Sequence, residues 1–435
     1  MTTAEDIAST SSLRSLAREI LNEAKRSVFV VLVLPVSSIG GEWIAPLRIA
    51  FSAASLAEGE EREIVFLTAQ LAEQDPEDWL MRQLNFRGEY FDELISSYSS
   101  FPPVILHLSG NGAMSPEWLA FFRALARIYR GTGGAEKLRL FVFVSGIAGM
   151  DSLDGTNGIS VFRHWHPLMW EEMRVLAQKW IPPSSNFPLE RIWAVSTYVG
   201  AASGDPFLLR TLCELYPRSV HDVVEMIRGQ EKYHIGRPPL DSILQTSPET
   251  QRWSVPPLLK SAWQEGLITG WCYERGASVA WERIAFDEAD VLVAIWREQV
   301  AGLMPSLIEV GIEVNRLTEN HNGEAWSRLE KERALDAWEP GKILSWYKKE
   351  NVPLPIFVHN LYDKLRKLRN NLAHLEPVDL KEIEELLLAL HSAQKPTATG
   401  AVTLPTKKCV GKPSEENIRD TINHEKSPEL SEVVE

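Results

Sequence analysis

Three polar residues near position 370 offer this sequence's clearest chemistry. Arg369, Asn370 and His374 lie within LRNNLAHLEP (368–377). At about 100° per residue on a helix, Asn370 and His374 are one turn apart and share a face. The negative end of the helix favours a protonated imidazole at its last turn. An imidazole that transfers protons, beside a guanidinium that neutralises charge on phosphorus, suits reaction at a phosphodiester.

Three further cations precede this motif on the same segment. Lys364, Arg366 and Lys367 add local positive potential to a chain whose formal net charge is −14. That overall charge excludes a broadly basic surface, so any contact with a polyanion must be local. We expect these three residues to bind the phosphate groups of such a ligand.

Helices must position these side chains. A leucine-rich stripe at helical spacing predicts a helix over 356–375, which Pro377 stops. Another helix is expected from Asp379, whose side chain can cap it, with Glu382 at the reciprocal position. A long apolar stripe over 292–317 predicts a further helix, which Pro305 either kinks or splits. The pattern indicates an all-α domain over residues 287–393.

The Arg-Asn-x-Leu-Ala-His form of this motif, on a helix near the end of an all-helical domain, resembles the HEPN superfamily. The resemblance implies metal-independent RNA cleavage by Arg369, Asn370 and His374. The ribose 2′-hydroxyl would attack phosphorus and leave a 2′,3′-cyclic phosphate. Family members usually pair two domains around one cleft, which implies a homodimer. Many HEPN domains act only in binding or dimerisation, and the side chains of His374 and Asn370 can also cap carbonyls. Both alternatives remain open.

The N-terminal part alternates strand-like and helix-like sequence patterns. Residues 1–26 are expected to form one opening helix. Continuous apolar runs at 28–35, 64–67, 104–108 and 138–146 then alternate with helical stretches, which predicts an α/β layer with a mostly parallel sheet over residues 1–165. Residues 166–235 are expected to be helical. Residues 236–286 predict a winged-helix-like module: a helix ending at Gly270, then two strands around a Gly-Ala-Ser turn.

The segments GDPFLLRTLCEL (204–215) and WHPLMWEEMRVLAQKW (165–180) resemble the STAND branch of the AAA+ ATPases. The resemblance implies a nucleotide-binding core, a helical lid at 166–235 and a winged helix. The catalytic groups are missing, however, because the loop after the first strand (36–42) lacks the phosphate-binding lysine. Ser109-Gly110-Asn111-Gly112 follows the third strand where acidic residues are expected. We therefore predict a non-hydrolysing module, in which Gly40 and Gly41 remain for weak nucleotide binding. An unrelated α/β domain is the alternative, and an active ATPase ranks below both.

Composition narrows the remaining function classes. Three cysteines among 435 residues form neither a disulfide framework nor a zinc motif. His164 and His166 lack the further ligands that a metal requires, so we expect no metal and no cofactor.

The longest apolar run, at 28–36, is far shorter than the ~20 residues of a membrane span. The N-terminus has no apolar signal core, which predicts a cytoplasmic protein. The tail at 394–435 has too few apolar residues to order itself and is expected to be disordered.

Together these features predict an α/β plus all-α chain: an inactive ATPase-like sensor that controls a C-terminal endoribonuclease. RNA and a second copy of the chain are the expected partners, together with a protein partner or trigger and no membrane. Such architectures are typical of bacterial antiphage defence and toxin systems. The competing hypothesis is a non-catalytic adaptor whose STAND-like body binds a partner and whose helical bundle dimerises.

Overall fold

The computed structural model describes most of the chain up to Gln394. The described residues are 2–25, 29–34, 42–59, 63–70, 75–88, 90–96, 102–131, 138–148, 153, 156–164, 168–183, 188–229, 268–272, 276–279, 288–332 and 339–394. The tail predicted to be disordered lies outside them beyond Gln394. Residues 1–394 and 395–435 form separate units, and only the first is described below.

A five-stranded parallel sheet forms the centre of the N-terminal part, which confirms the predicted fold class. Its strands are β1 (Phe29–Val33), β2 (Val65–Gln70), β3 (Val104–Ala113), β4 (Leu140–Ala148) and β5 (Ile159–Arg163), in the order β2-β3-β4-β1-β5. All five residues of β1 are buried, as its unbroken apolar run predicted. The short β5 was not predicted, because ISVFR is flanked by polar residues and gives a weak signal.

Six helices accompany the sheet among the described residues. They are α1 (Thr3–Ala8), α2 (Ser11–Ala24), α3 (Ile44–Ala57), α4 (Pro76–Gln83), α5 (Phe91–Ser96) and α6 (Pro116–Gly131). The single opening helix expected from the sequence is wrong, because the chain breaks after Ala8 and Thr10 adopts an extended backbone before α2. The side chain of Phe51 on α3 packs on Phe143 of β4, with ring centroids 5.0 Å apart.

Four helices follow among the described residues of the segment 166–235, and their assignment to a lid stays a prediction. They are α7 (Trp170–Trp180), α8 (Pro188–Ala202), α9 (Pro206–Leu215) and α10 (Val220–Arg228). The Gly-Asp-Pro segment starts α9 by a local mechanism. Gly204 has a φ of +91°, the Asp205 side chain accepts hydrogen bonds from the N–H groups of Phe207 and Leu208, and Pro206 fills the first helical position.

A two-stranded antiparallel hairpin represents the predicted winged-helix module among the described residues. It comprises β6 (Ile268–Cys272) and β7 (Gly276–Val279). Gly276-Ala277-Ser278 lies in β7 and not in the turn, which corrects the expected hairpin. Ile268-Thr269-Gly270 belongs to β6 and not to the end of a helix, because Ile268 and Thr269 favour a strand and Ile268 pairs with Val279. The remainder of 236–286 lies outside the described residues, so the winged helix stays a prediction.

The C-terminal part is helical, as predicted. Its helices are α11 (Glu288–His321), α12 (Gly323–Glu332), α13 (Pro340–Lys349), α14 (Ile356–Ala373) and α15 (Leu380–Gln394). Pro305 does not split α11, which continues through it. By length and composition α11 could cross a membrane, but core helices of soluble proteins pass the same test and one of its faces is buried. The sequence patterns did not predict α12 and α13.

Helix α11 packs along α8, across the boundary expected near residue 286. The two helices approach so closely at Gly200 that an added Cβ would lie 2.7 Å from the carbonyl oxygen of Ala294 and 2.8 Å from the Cα of Ile295. At Gly302 of α11 an added Cβ would collide with the side chain of Ser196. The helix 188–202 and the C-terminal helices therefore share one buried interface.

Candidate functional site at the end of helix α14

Helix α14 presents its motif by burying a leucine-rich stripe. All five predicted stripe positions are buried: Val358, Leu361, Leu365, Leu368 and Leu372. The other face is left to solvent, and Asn370 is exposed on it. Arg369 lies at the edge of the stripe, with 31% of its side chain exposed. The position of each motif residue relative to the stripe therefore determines how far it reaches solvent.

His374 lies one position beyond the helix, as its C-terminal cap. Its N–H donates to the carbonyl of Asn370 at 2.9 Å, and the N–H of Glu376 donates to the carbonyl of Asn371 at 2.9 Å. This bonding pattern closes a helix through a left-handed residue, here Leu375 with φ of +65°. The His374 side chain is exposed.

The side chains of His374 and Asn370 make no hydrogen bond to the described part of the chain. The last carbonyls of α14 are satisfied otherwise, since backbone N–H groups reach those of Asn370 and Asn371. The indole N–H of Trp296 donates to the carbonyl of Leu372 at 2.5 Å. The two side chains therefore do not cap carbonyls, which was the alternative role that their position at a helix end allowed. They are available to a ligand.

Arg369 is held by a carboxylate from the neighbouring helix. Its guanidinium lies 2.9 Å from the carboxylate of Glu339, the residue that precedes α13. Lys342 pairs with the same carboxylate at 2.9 Å. The hydrogen bond from Lys342 and the charge of Arg369 hold the pKa of Glu339 below its ordinary value. Arg369 is thus held in one direction, and its charge is only partly compensated because Lys342 shares the same carboxylate.

The three cations expected to bind RNA are also paired. Lys364 lies 2.8 Å from Glu385, Arg366 2.7 Å from Asp363, and Lys367 2.9 Å from Glu382. Ion pairs that are exposed to solvent contribute little to stability, so a phosphate can exchange with a carboxylate at little cost. The local positive potential expected from the sequence is nevertheless largely balanced by partners that the sequence alone did not reveal.

The predicted cap of α15 is half formed. The side chain of Glu382 accepts from the N–H of Asp379 at 3.3 Å, as expected. The side chain of Asp379, however, accepts from the N–H of Val220 at 2.7 Å, at the start of α10. The expectation that Asp379 caps its own helix is therefore wrong, because tertiary packing brings a different helix N-terminus within its reach.

A small apolar groove adjoins Arg369 and was not predicted from the sequence. It holds about 290 Å³ of empty space, including the part open to solvent, and lies between α11, α13 and α14. Its lining consists of Met304, Leu307, Ile308, Gly311, Pro340, Leu365 and Arg369. The spacing of Met304 and Ile308, one helical turn apart, is a signal that could have predicted this second apolar face of α11.

Among the described residues, an aromatic cluster lies beside the carboxyl ends of β1 and β5. Trp43 is buried and packs edge-on against His164 at 4.7 Å and against Phe207 at 5.6 Å between ring centroids. His164 follows β5, and its N–H donates to the carbonyl of Val33 at the end of β1. Gly40 and Gly41 lie outside the described residues, so their predicted contact with a nucleotide stays a prediction.

The electrostatics of this edge oppose phosphate binding. Burial and the nearby charge of Glu42 raise the pKa of Asp205 to about 6. A second polar pair lies on β3 and β4, where Nε2 of His107 and Oγ of Ser145 are 2.7 Å apart. Burial lowers the pKa of His107, which therefore favours its neutral form. Among the described residues no three His, Cys, Asp or Glu side chains are grouped as metal ligands.

Comparison with known proteins gives only distant likenesses. The chain matches no protein-family model and no curated relative. Two solved structures that align with it are the Aeropyrum pernix ORC2 protein, in ADPNP-ADP complexes, and Saccharomyces cerevisiae RIF2. The first is 12% identical with a TM-score of 0.30, covering 87% of this chain and 93% of the other. The second is 14% identical with a TM-score of 0.27, covering 51% and 89%. The fold class therefore rests on the sheet and helices themselves.

Proposed function

We propose that the C-terminal helices form a metal-independent endoribonuclease whose reacting groups are His374, Arg369 and Asn370. The observation that carries the proposal is that Asn370 and His374 are exposed together at the end of α14, with side chains that no described residue engages. An imidazole without a described partner can transfer protons, and a guanidinium on the same helix can neutralise charge on phosphorus, which are the two functions that reaction at a phosphodiester needs.

Each group has a distinct role in the proposed reaction. The ribose 2′-oxygen attacks phosphorus as its proton leaves, and the 5′-oxygen departs with a proton, so a 2′,3′-cyclic phosphate and a free 5′-hydroxyl result. His374 transfers one of these protons. Arg369 neutralises the charge on the phosphorane after exchanging the Glu339 carboxylate for the phosphate, and Asn370 orients the scissile phosphate.

The N-terminal α/β part is proposed as the inactive ATPase-like sensor that controls this effector, in bacterial antiphage defence or a toxin system. The buried Trp43 and the carboxylates of Glu42 and Asp205 support a module that does not turn over nucleotide. A protein partner or another trigger would then act on this part of the chain.

The carboxylate pairing favours a second candidate. Arg369, Lys364, Arg366 and Lys367 each contact a carboxylate of this chain, which leaves little free positive charge for RNA. In this alternative the protein is a non-catalytic adaptor: the STAND-like body binds a partner and the helical bundle dimerises.

The deciding experiment compares RNA cleavage by the wild-type protein, His374→Ala and the control His359→Ala. His359 is an exposed histidine on the same helix, near its other end. We expect cleavage that survives EDTA and leaves 2′,3′-cyclic phosphate ends. It should be lost in His374→Ala, together with growth inhibition on expression, and kept in His359→Ala. Both substitutions should change stability by less than ~0.5 kcal/mol. Equal cleavage and toxicity by His374→Ala and wild type would replace the enzyme with the adaptor.

A further inference from the structure

The turn that begins with His374 is anchored at its far end. Residues 374–379 connect α14 to α15, and Val378 within this turn is fully buried. Within the described part of the chain, no side-chain hydrogen bond orients the ring of His374. The direction of the imidazole therefore depends on the backbone of this turn and on what holds it.

Gln299 of α11 holds both backbone groups of Val378. Its Oε1 accepts from the N–H of Val378 at 2.7 Å, and its Nε2 donates to the carbonyl of Val378 at 2.9 Å. The second N–H of the same amide donates to Oγ1 of Thr197 at 2.9 Å. Gln299 and Thr197 are fully buried, so each of these hydrogen bonds is costly to lose.

Helices α8 and α10 of the predicted lid reach the same turn. The indole N–H of Trp193 on α8 donates to the carbonyl of Val378 at 2.6 Å. The Asp379 carboxylate accepts from the N–H of Val220 at the start of α10. The turn after the motif is thus fastened by α8, α10 and α11 together.

We propose that Gln299 is a positioning residue for His374, supported by Trp193. The inference rests on the proposed function for its consequence in catalysis, whereas its structural part stands on the contacts alone. Releasing Val378 frees the turn, and the imidazole then samples directions that do not face the phosphodiester. A displacement of about 1 Å in such a group is sufficient to slow a reaction by up to about a hundredfold.

The test replaces Gln299 by a side chain of similar length that cannot form these bonds. Gln299→Met removes both bonds to Val378 together with the bond to Thr197, whereas the control Thr197→Val removes only the last of these. Two readouts are taken on the full-length protein: the imidazole NMR signal of His374, assigned with His374→Ala, and the kcat and KM of RNA cleavage. Trp193→Phe, which removes one of the two donors to the Val378 carbonyl, serves if Gln299→Met does not fold.

We expect Gln299→Met to shift and broaden the His374 signal and to lower kcat by about tenfold or more with KM unchanged. Trp193→Phe should change the His374 signal and kcat in the same direction and by less. Thr197→Val should leave the signal and kcat near the wild-type values. An unchanged His374 signal in Gln299→Met overturns the proposal, as does an equal effect of Thr197→Val. If the wild-type protein does not cleave RNA, the proposed function fails and the NMR signal alone decides the positioning role.

Discussion

Of the three residues of the motif, two have exposed side chains and the third is half-buried in an ion pair. Asn370 and His374 face solvent, whereas the guanidinium of Arg369 is bound to Glu339. At the sheet edge, the Asp205 carboxylate is kept partly buried beside Glu42. Replacing Glu339 tests how its carboxylate restrains Arg369. Replacing Asp205 tests how burial of that carboxylate affects stability.

Glu339→Gln should strengthen the interaction of RNA with Arg369. The substitution removes the carboxylate that competes with phosphate, and this half-buried pair is worth on the order of 1 kcal/mol. We expect KM for RNA to fall by up to about fivefold, measured by steady-state cleavage. The control Asp363→Asn releases Arg366 from its partner but leaves Arg369 untouched, so its effect should be smaller. A rise in KM for Glu339→Gln would mean that Glu339 holds Arg369 in its working position.

Asp205→Asn should make the protein less sensitive to pH between about 4 and 6. Because folding raises the pKa of Asp205 from 3.8 to about 6, its ionisation penalises the folded state. The contribution of Asp205 to stability is highest below the unfolded pKa, falls as the pH rises and is constant above about 6, a difference of up to about 3 kcal/mol. Asparagine keeps the helix cap and carries no charge.

The measurement for this prediction is chemical denaturation of both proteins at several pH values. The advantage of Asp205→Asn over wild type should grow as the pH rises from 4 to 6. Parallel stability curves would show that Asp205 titrates at its ordinary pKa in the folded protein.

Among the helices, the contact between α8 and α11 organises the C-terminal part. Gly200 allows the two backbones to approach, and Gln299 on α11 fastens the turn after α14. Two helices that are far apart in the sequence are thereby joined by close backbone approach at Gly200 and by the hydrogen bond from Gln299 to Thr197. Their interface links the predicted lid to the candidate site.

Gly200→Ala should destabilise the protein, whereas Gly311→Ala should not. A methyl group at Gly200 would meet the backbone of Ala294 and Ile295 at 2.7 and 2.8 Å, and backbone cannot move aside cheaply. We expect a loss of about 1–3 kcal/mol in the free energy of unfolding. A methyl group at Gly311, also within α11, has nothing within 4 Å and should add about 0.5–1 kcal/mol through helix propensity.

Denaturant titrations of the two variants measure this difference directly. Equal stabilities would mean that α8 and α11 separate readily at Gly200, and that their interface does not hold the C-terminal helices in place.

For the chain as a whole, the N-terminal part is an α/β layer that lacks the charged groups of a nucleotide-hydrolysing site. The parallel sheet has five strands, yet the sequence after β1, at 34–42, has no lysine and the carboxyl end of β3 has no acidic residue. Trp43, His164 and Phe207 pack together where β1 and β5 end.

The purified protein should therefore not hydrolyse ATP. Without a lysine for the β- and γ-phosphates and without acidic residues for magnesium, the charge of the transition state is not neutralised. Phosphate release, measured with and without RNA, should equal the background of a buffer control. Turnover that disappears on mutating residues 36–42 would contradict the prediction, whereas binding without turnover would not.

Elements with a strong hydrophobic periodicity could be predicted from the sequence. The unbroken apolar runs became β1 to β4, and the leucine stripe of α14 is buried at every predicted position, because burial of apolar side chains dominates the choice of face. The same stripe predicted the exposure of Asn370 and His374, which lie away from it on the helix.

The partners of these residues, in contrast, depend on the tertiary fold. The carboxylates that pair with Arg369, Lys364 and Lys367 come from other segments, and Gln299 meets Val378 across 79 positions of sequence. Asp379 was predicted to cap its own helix and instead meets the start of α10. Helical periodicity predicts which face of a helix is apolar and therefore buried. It does not predict which charged or polar group from a distant segment the fold places beside that helix.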